Sequence, residues 1–152
     1  MSLKAKEIMT KEVITVRKDS KVEDVAKILL ENRIGGLPVT DEENRVVGIV
    51  SETDLLNKEK HLEMPPYITF MESYIFLGSM KKFESDLKKL SATTVDQIMS
   101  EEVVVVEEDE DISEIVNLML ESNVNRVPVV DKEGRIQGII CRYDVIKSMF
   151  NK

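Results

Sequence analysis

The chain has 152 residues, 42% of them hydrophobic and 33% charged, and a formal net charge of −8 at pH 7. Such a composition belongs to a soluble globular protein able to bury one sizeable core or two small ones sharing a face. An acidic chain with no basic face excludes general nucleic-acid binding, and one cysteine (Cys141) with one distant histidine (His61) excludes a disulfide framework and a zinc-type ligand set.

From the N-terminus, Ile8-Met9-Thr10 leads into the β-branched run Val13-Ile14-Thr15-Val16, which reads as a buried strand. Ser20-x-x-Glu23 has the spacing of a capping box, and Val22, Val25, Ala26 and Leu29 follow at helical spacing. Leu37-Pro38-Val39 is a short strand whose proline lacks a ladder donor, which predicts an edge or a strand start beside a pocket wall. Asp41-Glu42-Glu43-Asn44 is a turn composition that leads into a strand over Arg45 to Val50. That strand ends in Gly48-Ile49-Val50-Ser51-Glu52-Thr53-Asp54, a strand, tight turn and helix start in succession.

Ninety residues later the order recurs without a gap. Ile98-Met99-Ser100, Val103-Val104-Val105-Val106, Asp111-x-x-Glu114, Val127-Pro128-Val129, Asp131 to Arg135 and Gly138-Ile139-Ile140-Cys141-Arg142-Tyr143-Asp144 repeat the first copy. The second helix has its apolar stripe at Ile112, Ile115, Val116 and Met119. A gapless run of about fifty residues identifies two copies of one unit. Each copy reads β-α-β-β-α, a sheet with helices on one face that needs its twin to close a core.

Between the copies, residues 58–93 have no counterpart and hold five of the seven aromatics: Tyr67, Phe70, Tyr74, Phe76 and Phe83. A Phe83/Leu87/Leu90 stripe predicts an amphipathic helix over Lys81 to Leu90, so the insertion reads as largely helical and packed against something. Its occupants are the module's own helices, a twin subunit or another protein. A contact with a membrane surface is disfavoured by its thin basic face. The longest apolar stretch, Tyr67 to Leu77, is interrupted by Glu72 and too short to span a bilayer; with no visible leader, the expected location is cytoplasmic.

These motifs resemble the cystathionine β-synthase (CBS) domain family, as a tandem pair forming a Bateman module. Gly-Leu-Pro-Val-Thr-Asp and Gly-Ile-Val-Ser-Glu-Thr-Asp carry the resemblance in the first copy, Asn-Arg-Val-Pro-Val-Val-Asp and Gly-Ile-Ile-Cys-Arg-Tyr-Asp in the second. The resemblance implies an α+β fold, with CBS repeats over 4–57 and 94–150 packed by a pseudo-two-fold axis. It also implies a regulatory sensor that binds an adenosine-containing ligand in two clefts and forms a homodimer.

Carried onto this chain, one cleft joins Ser51, Thr53 and Asp54 to Val103, Val105, Arg126 and Pro128. The other joins Cys141, Arg142 and Asp144 to Ile14, Thr15, Gly36 and Pro38. The aspartates would hold ribose, the hydroxyls and arginines phosphate, and the apolar side chains adenine. Cys141 stands where the family usually has a hydroxyl, so the Asp54 cleft is expected to be tighter for a monophosphate. The acidity of the chain and Glu52 in the phosphate-side loop favour AMP or S-adenosylmethionine over ADP, ATP or cyclic di-AMP.

Each of these residues also has a reading without a ligand. Asp54 and Asp144 serve equally as helix N-terminal residues that satisfy free amides. Arg126 could pair with an acidic neighbour, and Cys141 could be a small packed residue. The run Glu107-Glu108-Asp109-Glu110-Asp111 reads as a solvated loop rather than a metal site. No serine-histidine-carboxylate set, P-loop or dinucleotide fingerprint is present, so the expectation is a non-enzyme with no required cofactor. The alternative to a sensor is a dimerising adaptor with vestigial clefts, which docks an unknown downstream protein through the insertion.

Overall fold

A computed structural model describes residues 2–59, 67–70, 73–76 and 93–150, with the backbone alone given for 58, 59, 67–70 and 73–76. In chain order the elements are α1 (Ala5–Ile8), α2 (Val22–Asn32), β1 (Gly36–Thr40), β2 (Val46–Ser51), α3 (Glu52–Glu59), β3 (Tyr67–Phe70) and β4 (Ser73–Phe76). A 3-10 turn (Val95–Gln97) precedes β5 (Val106–Glu107), α4 (Ile112–Glu121), β6 (Arg126–Val130), β7 (Ile136–Cys141) and α5 (Arg142–Phe150). The fold is α+β, with the two repeats in the register read from the sequence.

Each repeat is built on an antiparallel hairpin. Pro38 sits opposite Ile49 in β1/β2, and Pro128 opposite Ile139 in β6/β7. The turns are fixed by aspartate: Asp41 Oδ1 accepts from Glu43 N and Arg45 N while its Oδ2 takes Arg45 Nε at 2.9 Å, and Asp131 does the same with Glu133 and Arg135. Asn44 (φ 65°) and Gly134 (φ 84°) take the left-handed turn position that asparagine and glycine tolerate. The two turns then pair with each other, Val46 N on Gly134 O and Ile136 N on Asn44 O, both at 3.0 Å.

Pro38 lies on a strand of a two-stranded sheet, an edge as the sequence suggested, whereas Pro128 does not. β6 is the middle strand of β5-β6-β7, and β1 is flanked by β2 and by a single parallel bridge from Val16 to Val39. Val16 N donates to Pro38 O and Thr40 N donates to Val16 O. The next rung towards the N-terminus would need an N–H from Pro38, which has none, so the ladder stops there. Consequently the expected strands over 13–16 and 103–106 are almost wholly unformed. Val16 and Val106 are buried, whereas Ile14 and Val105 are 38% and 39% exposed. The run of four valines is therefore not a core strand: Val103 and Val104 border a cleft and Val105 is exposed.

Both helices bury the stripes predicted for them, Val22, Val25 and Leu29 on α2 and Ile115 and Met119 on α4. The capping boxes are not formed. Lys21, not Ser20, is the N-cap of α2, and Ser20 Oγ accepts from Arg17 N instead. Asp111 is the N-cap of α4, but its carboxylate takes Lys4 Nζ at 2.5 Å and Ser2 Oγ at 2.9 Å rather than an amide of its own helix.

Each repeat has its own core, and each is closed by the other repeat's lead-in. Ala5 lies fully buried among Val106, Ile115, Val127, Val129 and Ile140; Val95 lies fully buried among Val16, Val25, Leu37, Val39 and Val50. Reciprocal backbone pairs hold the exchange, Thr10 with Ile139 and Ser100 with Ile49. The approach is close enough to require glycine. A Cβ on Gly48 would lie 2.6 Å from Met99 Sδ and 3.0 Å from Ser100 O, and one on Gly138 would collide with Met9. The motif glycines and the Ile-Met pairs of opposite repeats are thus one packing device.

The described part of the insertion is β-hairpin. β3 and β4 are antiparallel, with Tyr67 opposite Phe76 and Phe70 opposite Ser73. Aromatic and β-branched residues favour strands, so over 67–70 and 73–76 the insertion is strand where a largely helical segment was expected. The helix predicted over 81–90 lies outside the described residues. Among the described residues no helix is long and apolar enough to cross a membrane.

Candidate functional site

The junction between β2 and α3, and between β7 and α5, carries the residues of interest. Ser51 and Cys141 end their strands, and the next residue starts a helix whose third position is the aspartate. Asp54 Oδ2 accepts from Ser51 N at 2.8 Å and from Ser51 Oγ at 3.2 Å. Asp144 Oδ2 accepts from Cys141 N at 2.8 Å. Both carboxylates thus satisfy a helix-start amide, the bland reading, yet each does so with one oxygen and lines a cavity. The two readings coexist because a carboxylate has acceptor capacity for both.

The Asp144 cleft encloses about 440 Å³. From the predicted set it brings together Ile14, Gly36, Pro38, Cys141 and Asp144, and adds Arg33, Ile34, Arg126 and Tyr143 among others. Thr15 and Arg142 are not among its lining residues, and Arg142 Nε donates instead to Val124 O at 3.4 Å. The Asp54 cleft encloses about 260 Å³ and brings together Ser51, Thr53, Asp54, Val103 and Arg126, without Val105 or Pro128. Its further lining includes Glu52, Glu102 and Asn125.

Charge separates the clefts. The Asp144 cleft is lined by two arginines, Arg33 and Arg126, and two acids, Glu12 and Asp144. The Asp54 cleft is lined by Glu52, Asp54 and Glu102, with Arg126 the one cation among its described lining residues. Arg33 reaches its place from a left-handed residue (φ 53°) that ends α2 with Ile34 N on Leu29 O. Glycine or asparagine is the usual occupant of that position, and Asn123 (φ 51°) fills it in the second repeat. Composition and spacing gave no sign of Arg33; the ninety-residue register, read at the helix ends, pairs it with Asn123 and marks it as a departure.

Arg126 lines both cavities. Its guanidinium lies on the Gly35-Gly36 backbone: a Cβ at Gly35 would sit 2.7 Å from Nη2, and one at Gly36 2.7 Å from Nη1. Opposite it in register is Cys141. Burial raises the Cys141 thiol above its ordinary range, nearby Asp144 raises it further, and Arg126 partly offsets both. At neutral pH Cys141 is a thiol, a weak donor and no nucleophile.

Among known proteins, the family model described as "CBS domain" matches residues 5–61 and 95–151. The chain is 32% identical over 151 residues to the uncharacterized protein MJ1426 of Methanocaldococcus jannaschii, covering 95% of this chain and 89% of that one. It is 31% identical over 149 residues to the CBS domain-containing protein CBSX1, chloroplastic, of Arabidopsis thaliana, covering 93% of this chain and 62% of that one. Among solved structures it resembles that of CBSX2, from the same plant, in complex with AMP, with a TM-score of 0.73 and 25% identity over 96% of this chain and 95% of the other.

Proposed function

This chain belongs to the CBS domain family, and from that premise we propose that it is a regulatory module that senses an adenosine-containing ligand, AMP first, in the Asp144 cleft. The observation that carries the reading is one constellation. Asp144 has one oxygen engaged by Cys141 N, on the wall of a 440 Å³ cavity with apolar sides and two guanidinium groups. That volume falls within the range of small-molecule sites, about 300–1,000 Å³. Val13, Ile14, Ile34, Pro38 and Ile139 offer the apolar faces an adenine needs, and the second Asp144 oxygen can accept from ribose hydroxyls. Arg33 and Arg126 supply planar forks for phosphate. The related CBSX2 structure in complex with AMP supports the same ligand class.

The preferred cleft is the reverse of the one expected from the sequence. Three carboxylates against one arginine make the Asp54 cleft a poor host for a phosphate, and the acidic surroundings rank AMP and S-adenosylmethionine above ADP, ATP and cyclic di-AMP. Calorimetric titration with these five ligands, on the native chain and on Asp144→Ala and Asp54→Ala, tests the reading. The expected result is AMP binding weakened most by Asp144→Ala; no heat from any of them would leave the adaptor reading standing.

A second observation supports a homodimer. Exposed apolar side chains come in repeat-related pairs, Leu30 (79% exposed) with Leu120 (68%), and Leu56 with Ile146. Apolar faces repeated by a two-fold suit a self-complementary interface. Sedimentation at micromolar concentration checks it, and a monomer would overturn it. Ligand binding would then be conveyed to a downstream protein by a change in how repeats or subunits pack.

A further inference from the structure

The two clefts share a cation. Arg126 lines both, and its counterpart in the first repeat is Gly36, so the pseudo-symmetric molecule has a single arginine where two-fold symmetry would place two. Symmetry also explains why there is one. The guanidinium occupies the space above Gly35 and Gly36, where any Cβ would come within 2.7 Å of its nitrogens. A second arginine at residue 36 would need that same space. Gly35-Gly36 is therefore a seat for Arg126, which stands opposite Cys141 in register, and the Glu52 carboxylate of the other cleft lies 3.5 Å from the same Gly35 Cβ position.

We propose that Arg126 is a specificity-determining residue shared by the two clefts, so that an anionic ligand bound in the Asp144 cleft lowers the affinity of the Asp54 cleft for a second anion. One guanidinium directed at a phosphate on one side is withdrawn from the other. The Asp54 cleft is then left with Glu52, Asp54 and Glu102 and no balancing cation. The coupling is tied to phosphate: an uncharged nucleoside makes no claim on Arg126 and fills one cleft without consequence for the other. By linkage the effect is reciprocal, and it makes the chain respond over a wider span of ligand concentration than two independent sites.

The proposal rests on the nucleotide reading above and is tested by titrating the full chain with AMP and, separately, adenosine. In the native chain AMP binds in two steps, the second about tenfold or more weaker, or with one AMP per chain in the limiting case. Asp144→Ala disables the stronger cleft. If Arg126 is shared, AMP then binds the Asp54 cleft about tenfold more tightly than in the second native step. Adenosine shows no such gain, and Asp144→Ala combined with Arg126→Gln loses it. Should Asp144→Ala fail to fold, capping the sole cysteine, Cys141, with N-ethylmaleimide blocks the same cleft and is expected to give the same gain. An Asp54 cleft whose AMP affinity is the same with the Asp144 cleft filled or disabled overturns the shared arginine and leaves the nucleotide reading intact. Absence of heat with both AMP and adenosine overturns the two together.

Discussion

The two repeats follow one backbone plan in a gapless register, yet the clefts they build carry different charge. The Asp54 side gathers three carboxylates, while the Asp144 side balances two against two arginines. The difference comes from two substitutions between the copies at equivalent positions, Arg33 against Asn123 and Glu52 against Arg142, while Arg126, whose counterpart is Gly36, serves both clefts. None of them belongs to the buried cores, where paired positions stay apolar even as the residues change, as in Val25 and Ile115 or Leu37 and Val127. Duplication thus leaves packing positions constrained by volume, while cleft positions are free to diverge, and function diverges there first.

The deepest test of the likeness is whether the copies stand or fall together. Ala5 is fully buried in the second repeat's core and Val95 in the first's. Ala5→Asp or Val95→Asp buries an unpaired charge and is expected to cost about 3 kcal/mol or more. Because the lead-ins are exchanged, either change should melt both repeats in a single calorimetric transition. Independent melting of one repeat would show that the exchange does not couple them.

Smaller effects are expected where the lead-ins cross the motif glycines. Gly48→Ala meets both Met99 and the fixed carbonyl oxygen of Ser100, whereas Gly138→Ala meets the side chain of Met9. Overpacking of this kind costs about 1–3 kcal/mol, and Gly48→Ala should stand at the upper end because a backbone oxygen yields less than a thioether. Denaturant unfolding of the two variants decides the order.

At the clefts themselves, Asp54→Ala and Asp144→Ala each remove an acceptor for a helix-start amide and should cost about 1 kcal/mol of stability equally. Their effects on AMP should be unequal, with a loss of about tenfold or more for Asp144→Ala. Cys141 provides an independent reporter. Its raised thiol range predicts slower alkylation at pH 8 than a free cysteine, and AMP should slow it several-fold further. An unchanged rate would remove the Asp144 cleft from consideration as the preferred site.

The smallest effect concerns the paired turns. Asp41 is held below the usual carboxylate range, first by the Arg45 backbone N–H and also by its side chain, against a desolvation penalty. A carboxyl depressed in the folded state contributes stability above its unfolded value near 3.8, which is lost as pH falls through the folded value. Asp41→Asn should therefore flatten the acid limb of the stability profile below pH 4, as read by thermal melts. An unaltered limb would show that this turn does not contribute to it.

The sequence by itself determined the duplication, the apolar stripes of α2 and α4, the turn aspartates and the placing of Asp54 and Asp144 at helix starts. Each of these follows from local chemistry: side-chain periodicity, turn propensity, and a carboxylate three residues after a strand end. Tertiary structure alone decided the rest. Val103 to Val105 are as apolar as a core strand, yet Pro128 offers no N–H to continue the ladder, so Val103 and Val104 border a cleft and Val105 is left exposed. Ser20 and Asp111 have the spacing of caps, but the Ser20 hydroxyl is taken by Arg17 N three residues back, and the Asp111 carboxylate by Lys4 and Ser2 from the far end of the chain. Arg33 and Arg126 carry no local signature, since what makes them matter is where the other repeat's glycines and carboxylates stand. Charge balance in a cleft is a property of side chains brought together from both copies, and no window of the sequence contains them all.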